Sequence, residues 1–442
     1  MVSAEFRYKS VESIVPIYAP LDTKKPSIHR FYDTSAISPS GRFLAVTEFT
    51  SDTSMPKHGD YANVCIIELS SGEYIYRTLT QAWDTQVGAH VQWGATDDDL
   101  FFNRMDTENW SPYAVKYSLS TDSEKAYTGS VYFVKSSGEH FISPCLNRIN
   151  RVQPGYGTHI PPSSRKYNVG FPKDDGLYVT STESKKTHLL LSFCDIYTAL
   201  EKEFKELDLE NGGCYGFHAK YSPDDKKIMF ILRWMPNGSA EGRSRTKNYL
   251  ITFNADGSDI CLVVSPSEWA GGHHPTWCPD SNSVIMNLIS PRKNVYLTKA
   301  VRALEKIAQK LGQRFFVPQF ALKFVKITAD GIHKETLAPS HIGSGHPTMD
   351  PSQRFIITDA YPSEVLSKDG RHVPIRVIDT LKNKSENLVQ IDVLPEYSGS
   401  NQEWRVDPHP AWSKCGRWLI FNGCHQGCRT VFLADFDSYI KG

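Results

Sequence analysis

The chain has 442 residues, and its 49 basic and 49 acidic side chains cancel. Apolar residues at 40% and charged residues at 22% describe an ordinary globular composition. The balanced charge argues against nucleic acid and membrane surfaces as partners, and no apolar run reaches the roughly 20 residues that span a bilayer.

Aromatics at 12% favour strands, because these side chains suit a pleated, half-buried surface. Residues 1–24 show no apolar core followed by a small-residue cleavage site, so no signal peptide is read there. Two localisations fit: cytoplasmic, or secreted with a leader already removed. From residue 35 onward one unit recurs, a short strand, a Ser-Pro-Asp/Ser-Gly-like turn and an apolar strand. It runs Ser35-Ala36-Ile37-Ser38-Pro39-Ser40-Gly41, returns at His90-Val91-Gln92-Trp93 and at Val131-Tyr132-Phe133-Val134, and again at His218-Ala219-Lys220-Tyr221-Ser222-Pro223. Three more copies start at His274-Pro275, His346-Pro347 and His409-Pro410. Two further strands follow each copy, so each unit supplies four, and such units must stack to bury their faces. The expected fold is all-β: a single seven-bladed β-propeller domain over residues 1–442. The last unit lacks an outer strand, which the segment from Phe6 to Tyr18 supplies, closing the ring. Helical spacing predicts two insertions, Asp195–Leu207 and Thr298–Leu311.

Repeat phase places chemistry on one face, where loops enter the inner strand and where the second strand joins the third. His90, His218, His274, His346 and His409 share the inner-strand phase, which predicts a polar pocket at the channel mouth. Adjoining loops add His58, Arg104, Trp110, Arg148, Arg151, Tyr156, Arg233, Trp234, Arg243 and Arg245. Arginine pairs a carboxylate bidentately and aromatic rings stack on sugars, so an anionic sugar is the expected ligand. His274, His346 and His409 come from adjacent blades, with Asp407 two residues from His409. That set suits one divalent ion such as Mn, Ca or Zn. Cys424 and Cys428 sit in the last hairpin as a disulfide or as two thiols. No nucleophile elbow, P-loop or dinucleotide fingerprint occurs in a fitting context.

The units from His218 to Asp225 and from His409 to Gly416 resemble those of TolB-type propellers. Asp407-Pro408-His409-Pro410, with His274 and His346, is similar to the metal site of oligogalacturonate lyases. Those enzymes are seven-bladed propellers that cleave uronate sugars by β-elimination. Asn147-Arg148-Ile149-Asn150-Arg151-Val152-Gln153-Pro154-Gly155-Tyr156-Gly157 resembles a loop of L-rhamnose-α-1,4-D-glucuronate lyases, which act on terminal sugars of gum arabic. Asp407 stands where the oligogalacturonate pattern has His, which favours the rhamnose–glucuronate type. The resemblance implies a polysaccharide lyase, acting as a monomer on a uronate-containing oligosaccharide or polysaccharide. Arg148 and Arg151 are expected to neutralise the uronate carboxylate. His90 and His218 are expected as base and acid, with His58 and Tyr156 in reserve. Arg104, Trp110, Arg233, Trp234 and His274 are expected to bind substrate. A non-catalytic propeller that binds a sugar or protein on this face is the rival reading, and a hydrolase would need a carboxylate pair.

Overall fold

The structure is a computed structural model, and it describes residues 2–9, 11–21, 25–51, 55–236, 246–269, 271–289, 303–304, 307, 321–397 and 404–441. Seven antiparallel sheets follow one another along the chain, six of four strands and one of five. The four-stranded sheets are meanders in which consecutive strands pair, the arrangement of a propeller blade, and the five-stranded one adds N-terminal strands to the last three of the chain. Several inner strands are short, for example Gln92–Trp93, Thr348–Met349 and Ala411–Trp412, whereas that of the fourth blade, Gly212–Tyr221, is as long as its second strand, Lys227–Pro236. The N-terminal segment completes the last blade as expected. Ile17 and Tyr18 pair with Ala434 and Leu433, and Arg7–Tyr8 pairs outside them.

Blades adhere through apolar faces. Val64 and Ile66 of the first blade share a core with Phe102 and Val115 of the second, and burial of such side chains contributes roughly 1.5–3 kcal/mol each. The repeat also fixes polar latches. Trp93 Nε1 donates to Ala36 O at 2.9 Å and Trp277 Nε1 to Lys220 O at 3.0 Å, each across 57 residues.

The first expected helix is present as Phe193–Ala199 and Glu201–Phe204, broken at Leu200. It starts earlier than the apolar spacing suggests. Ser192 and Asp195 form a reciprocal capping box that satisfies the first backbone donors. The second, 298–311, lies outside the described residues apart from Ala303, Leu304 and Ile307. Cys424 and Cys428 stand on paired strands with no disulfide between them.

One feature of the channel is absent from the repeat pattern. The first inner strand is interrupted after Ser27–Ile28, and residues 29–34 turn inward before Ile37 bridges Leu44. Phe31 and Tyr32, 0% and 1% exposed, fill the axis. Their rings meet histidines of the fourth to seventh blades: Phe31 lies 5.0 Å from His218 and 4.6 Å from His409, and Tyr32 lies 5.0 Å from His346 and 6.1 Å from His274. Below this plug, Lys220 Nζ pairs with Asp33 at 2.7 Å and reaches Pro275 O at 3.0 Å.

Candidate functional site

The five repeat histidines do converge on one end of the channel, but the aromatic plug divides them. His90, His346 and His409 are 0–1% exposed. His90 packs against Tyr132 at 5.1 Å, near Asp84, and is not among the residues lining the cavity that holds His218 and His274. It is therefore placed too deep to take a proton from a sugar. His90, His274 and His409 hold left-handed backbone, φ 57, 58 and 49°. Such strain costs of order 1–3 kcal/mol for a residue with a Cβ and persists where surrounding contacts dictate it.

His218 and His274 both line a cavity of about 340 Å³. Gln153, Tyr156, Phe217 and Arg233 form one wall, and His273, Tyr361, Arg405 and Asp407 line the remainder. Tyr132 hydroxyl contacts His218 Nδ1, leaving Nε2 as the ring nitrogen towards the cavity. Burial, then the charges of Lys220 and Arg233, drive His218 well below the usual histidine range, so its imidazole is neutral. Burial pushes the Tyr156 and Tyr361 hydroxyls up, so both remain protonated donors at neutral pH. The Tyr156 and His218 rings lie 5.8 Å apart.

Behind Asp407 lies a compact ligand set. Atoms of His346, Asp407 and His409 fall within 4.8 Å of one another, and all three residues are buried. Asp359, which belongs to no motif in the sequence, organises them. It accepts His346 backbone N–H at 2.6 Å, His409 backbone N–H at 3.2 Å and His346 Nδ1 at 3.0 Å. That fixes the proton on Nδ1 and turns the lone pair of His346 Nε2 away, the carboxylate–histidine pairing common behind metal ligands. A Cβ on Gly345 would sit 2.0 Å from Asp359 Oδ1, so only glycine lets the backbone pass this close. His346 Nε2 and both ring nitrogens of His409 are buried without a hydrogen-bond partner. Orphaned imidazole nitrogens beside a carboxylate fit a divalent ion, and these three residues would hold it. His274 is not in the set. It stacks on His346 at 3.8 Å, with Nδ1 2.8 Å from Gly345 O.

The arginines sort by partner. Arg405 Nε pairs with Asp407 at 2.9 Å. Arg233 lies against the cavity with its Nη1 donating to Gln153 Oε1 at 2.8 Å and Val152 O at 3.2 Å, and its guanidinium is 4.1 Å from the Phe217 ring. Its Nε is buried without a partner, and no carboxylate pairs with it among the described residues. Burial lowers its pKa to about 10, which leaves it cationic and ready for an anion.

Several expected positions lie elsewhere. Arg148 pairs with Asp175 at 2.9 Å, and Arg151 donates to Pro236 O at 3.2 Å; both line a separate recess on the other side of helix Leu146–Val152. Arg104 is clamped by Glu124 at 2.6 and 2.7 Å because it points out from a strand rather than from a loop. His58 is exposed and meets Trp110 edge-on at 5.5 Å, away from the cavity. Trp234 is 5% exposed and stacks on Phe171 at 5.5 Å in the core, so it is a packing residue. Arg243 and Arg245 lie outside the described residues.

The fold and this site define a seven-bladed propeller with a buried His/Asp cluster under a basic, aromatic cavity. No protein-family model matches the chain, and no curated protein matches its sequence. Solved structures do. An oligogalacturonate lyase in complex with manganese superposes with TM-score 0.59 at 11% identity, over 97% of this chain and 95% of that one. The oligogalacturonate lyase of Vibrio parahaemolyticus gives 0.58 at 13% identity, over 98% and 95%. At these identities the likeness is one of fold.

Proposed function

We propose that the protein is a uronate lyase that cleaves a glycosidic bond by β-elimination. The observation that carries this reading is Arg233, a buried guanidinium facing the cavity with no carboxylate partner among the described residues. It would pair with the uronate carboxylate and make the C5 proton removable. Neutral His218 then takes the C5 proton, the C4–O bond breaks, the C4–C5 double bond forms, and Tyr156 protonates the leaving oxygen. A divalent ion bound at His346, Asp407 and His409 would supply further positive charge on the carboxylate side. Arg405 holds Asp407 in place for that role, and Asp359 holds His346. The manganese in the structurally similar lyase supports this use of the cluster.

The finer reading is release of terminal rhamnose from glucuronate. The loop that motivated it places Gln153 and Tyr156 in the cavity wall. The cavity, about 340 Å³, is at the lower end of small-molecule sites, about 300–1,000 Å³, which suits a chain end. Oligogalacturonate is the alternative substrate. A hydrolase reading is weaker, since Asp407 is the only carboxylate among the described lining residues and it is ion-paired.

Incubation with gum arabic and, separately, with oligogalacturonate tests this by ultraviolet absorbance of an unsaturated uronate. A rise on gum arabic with free rhamnose supports the finer reading, and a rise on oligogalacturonate alone supports only the coarser one. Flat traces on both with sugar binding intact favour a binding module.

A further inference from the structure

The recess that takes Arg148 and Arg151 away from the cavity has its own chemistry. It encloses about 210 Å³ and is lined by four cations, Arg148, Arg151, Arg165 and Lys166. No carboxylate lines it among the described residues. Arg148 is neutralised from behind by Asp175. Arg165 and Lys166 are exposed and form no ion pair among the described residues. Like charges facing one small recess repel, and the arrangement is relieved when an anion enters. Neutral polar groups line the same space: Thr158 Oγ1 donates to Asn147 Oδ1 and Asn147 Nδ2 to Trp110 O, Asn150 stands beside them, and His159 Nε2 is buried there without a hydrogen-bond partner. Tyr167, 58% exposed, stands at the rim with the Arg151 guanidinium 5.9 Å from its ring. A phenol ring beside guanidinium groups offers a sugar both a stacking face and carboxylate donors.

Two hydrogen bonds connect the elements that line this recess and the cavity. Arg233 donates to Val152 O and Arg151 to Pro236 O, so the end of helix Leu146–Val152 and the end of strand Lys227–Pro236 are tied together between them. We propose that the recess is an accessory subsite for the carboxylate of a second acidic sugar, one outside the bond that is cleaved. It rests on the uronate reading for its substrate, and it predicts a preference for branched or longer polyanionic chains over the minimal disaccharide.

The test is equilibrium binding of trigalacturonate and of inorganic sulfate by calorimetry, in the full chain. The Arg233→Ala variant removes the cavity's carboxylate partner, and the residual trigalacturonate binding is then measured with and without Arg165→Ala/Lys166→Ala. The expected result is at least a 10-fold loss of both probes, sulfate and trigalacturonate, on adding the double substitution to Arg233→Ala. Unchanged trigalacturonate affinity on adding the double substitution overturns the proposal. So does sulfate binding without any saccharide binding, which would mark a site for free inorganic anions. The readout needs no turnover, so failure of the lyase reading appears separately, as the absence of unsaturated product.

Discussion

Asp359→Asn isolates the charge that organises the His/Asp cluster. The register shows why the variant should fold. Thr348 pairs with Ile357, Gln92 with Phe101, Thr276 with Ile285 and Ala411 with Ile420. Two residues beyond these partners stand Asp359, Asn103, Asn287 and Asn422, so three other blades accept asparagine at this place. There the amide ties neighbouring loops, as Asn103 does by donating to Val131 O and accepting from Val131 N–H, both at 2.8 Å. In the sixth blade both oxygens of Asp359 accept, one from His346 N–H and the other from His409 N–H. An amide therefore turns an N–H towards a backbone N–H in either rotamer. One hydrogen bond to a charged group is lost, worth about 1.5–3 kcal/mol. The Nδ1 proton of His346 is also no longer fixed. Removing a partner behind a metal ligand weakens metal binding about 10–100-fold, or about 1.4–2.7 kcal/mol. Calorimetric titration with Mn²⁺ measures this directly. Wild type should bind at one site, and Asp359→Asn should bind 10–100-fold more weakly with an unchanged circular dichroism spectrum. Equal affinities would refute the role given to Asp359, and no binding by wild type would refute the site.

Arg233→Lys keeps the charge but loses the bidentate fork, and kcat/KM on a uronate substrate should fall by at least about 10-fold, measured by initial-rate absorbance. His218→Ala and Tyr156→Phe should each lower kcat by about 10²–10⁴, whereas Arg104→Ala and His58→Ala should leave steady-state kinetics unchanged. Trp234→Ala empties a core position and should cost about 3–5 kcal/mol in a denaturant titration, with any loss of activity following from unfolding. Burial lowers His159 from 6.5 to about 4, so the native state binds fewer protons than the unfolded one in that range. Its contribution to stability, up to about 3 kcal/mol, is present above pH 6.5 and lost as pH falls towards 4. His159→Phe should flatten that part of the denaturation profile, and an unchanged slope would show that His159 is not the group responsible.

The blades were legible because their signals are local. A Ser-Pro-Asp turn between two apolar runs needs no distant partner, and the missing outer strand of the last unit pointed to the N-terminus. The histidine phase was legible for the same reason. What the repeat concealed was the interruption after Ile28. The interval from Ser27 to Ser35 is too long for one inner strand, and that excess was the available signal for the Phe31–Tyr32 plug. Arginine roles were illegible, since Arg148, Arg104 and Arg233 differ only in whether Asp175, Glu124 or nothing acidic comes to meet them in space. Asp359 had a detectable sign, an acid directly after an apolar strand where other blades carry asparagine, but its purpose depends on His409, 50 residues away.

β-Elimination itself is tested most directly by running the reaction briefly in ¹⁸O-labelled water, before free anomeric oxygens exchange with solvent, and weighing both products. An eliminating enzyme takes no oxygen from solvent into the bond it breaks. The products should carry no label there, and one of them should be an unsaturated uronate. Incorporation of ¹⁸O with two saturated products would contradict the account and identify a hydrolase.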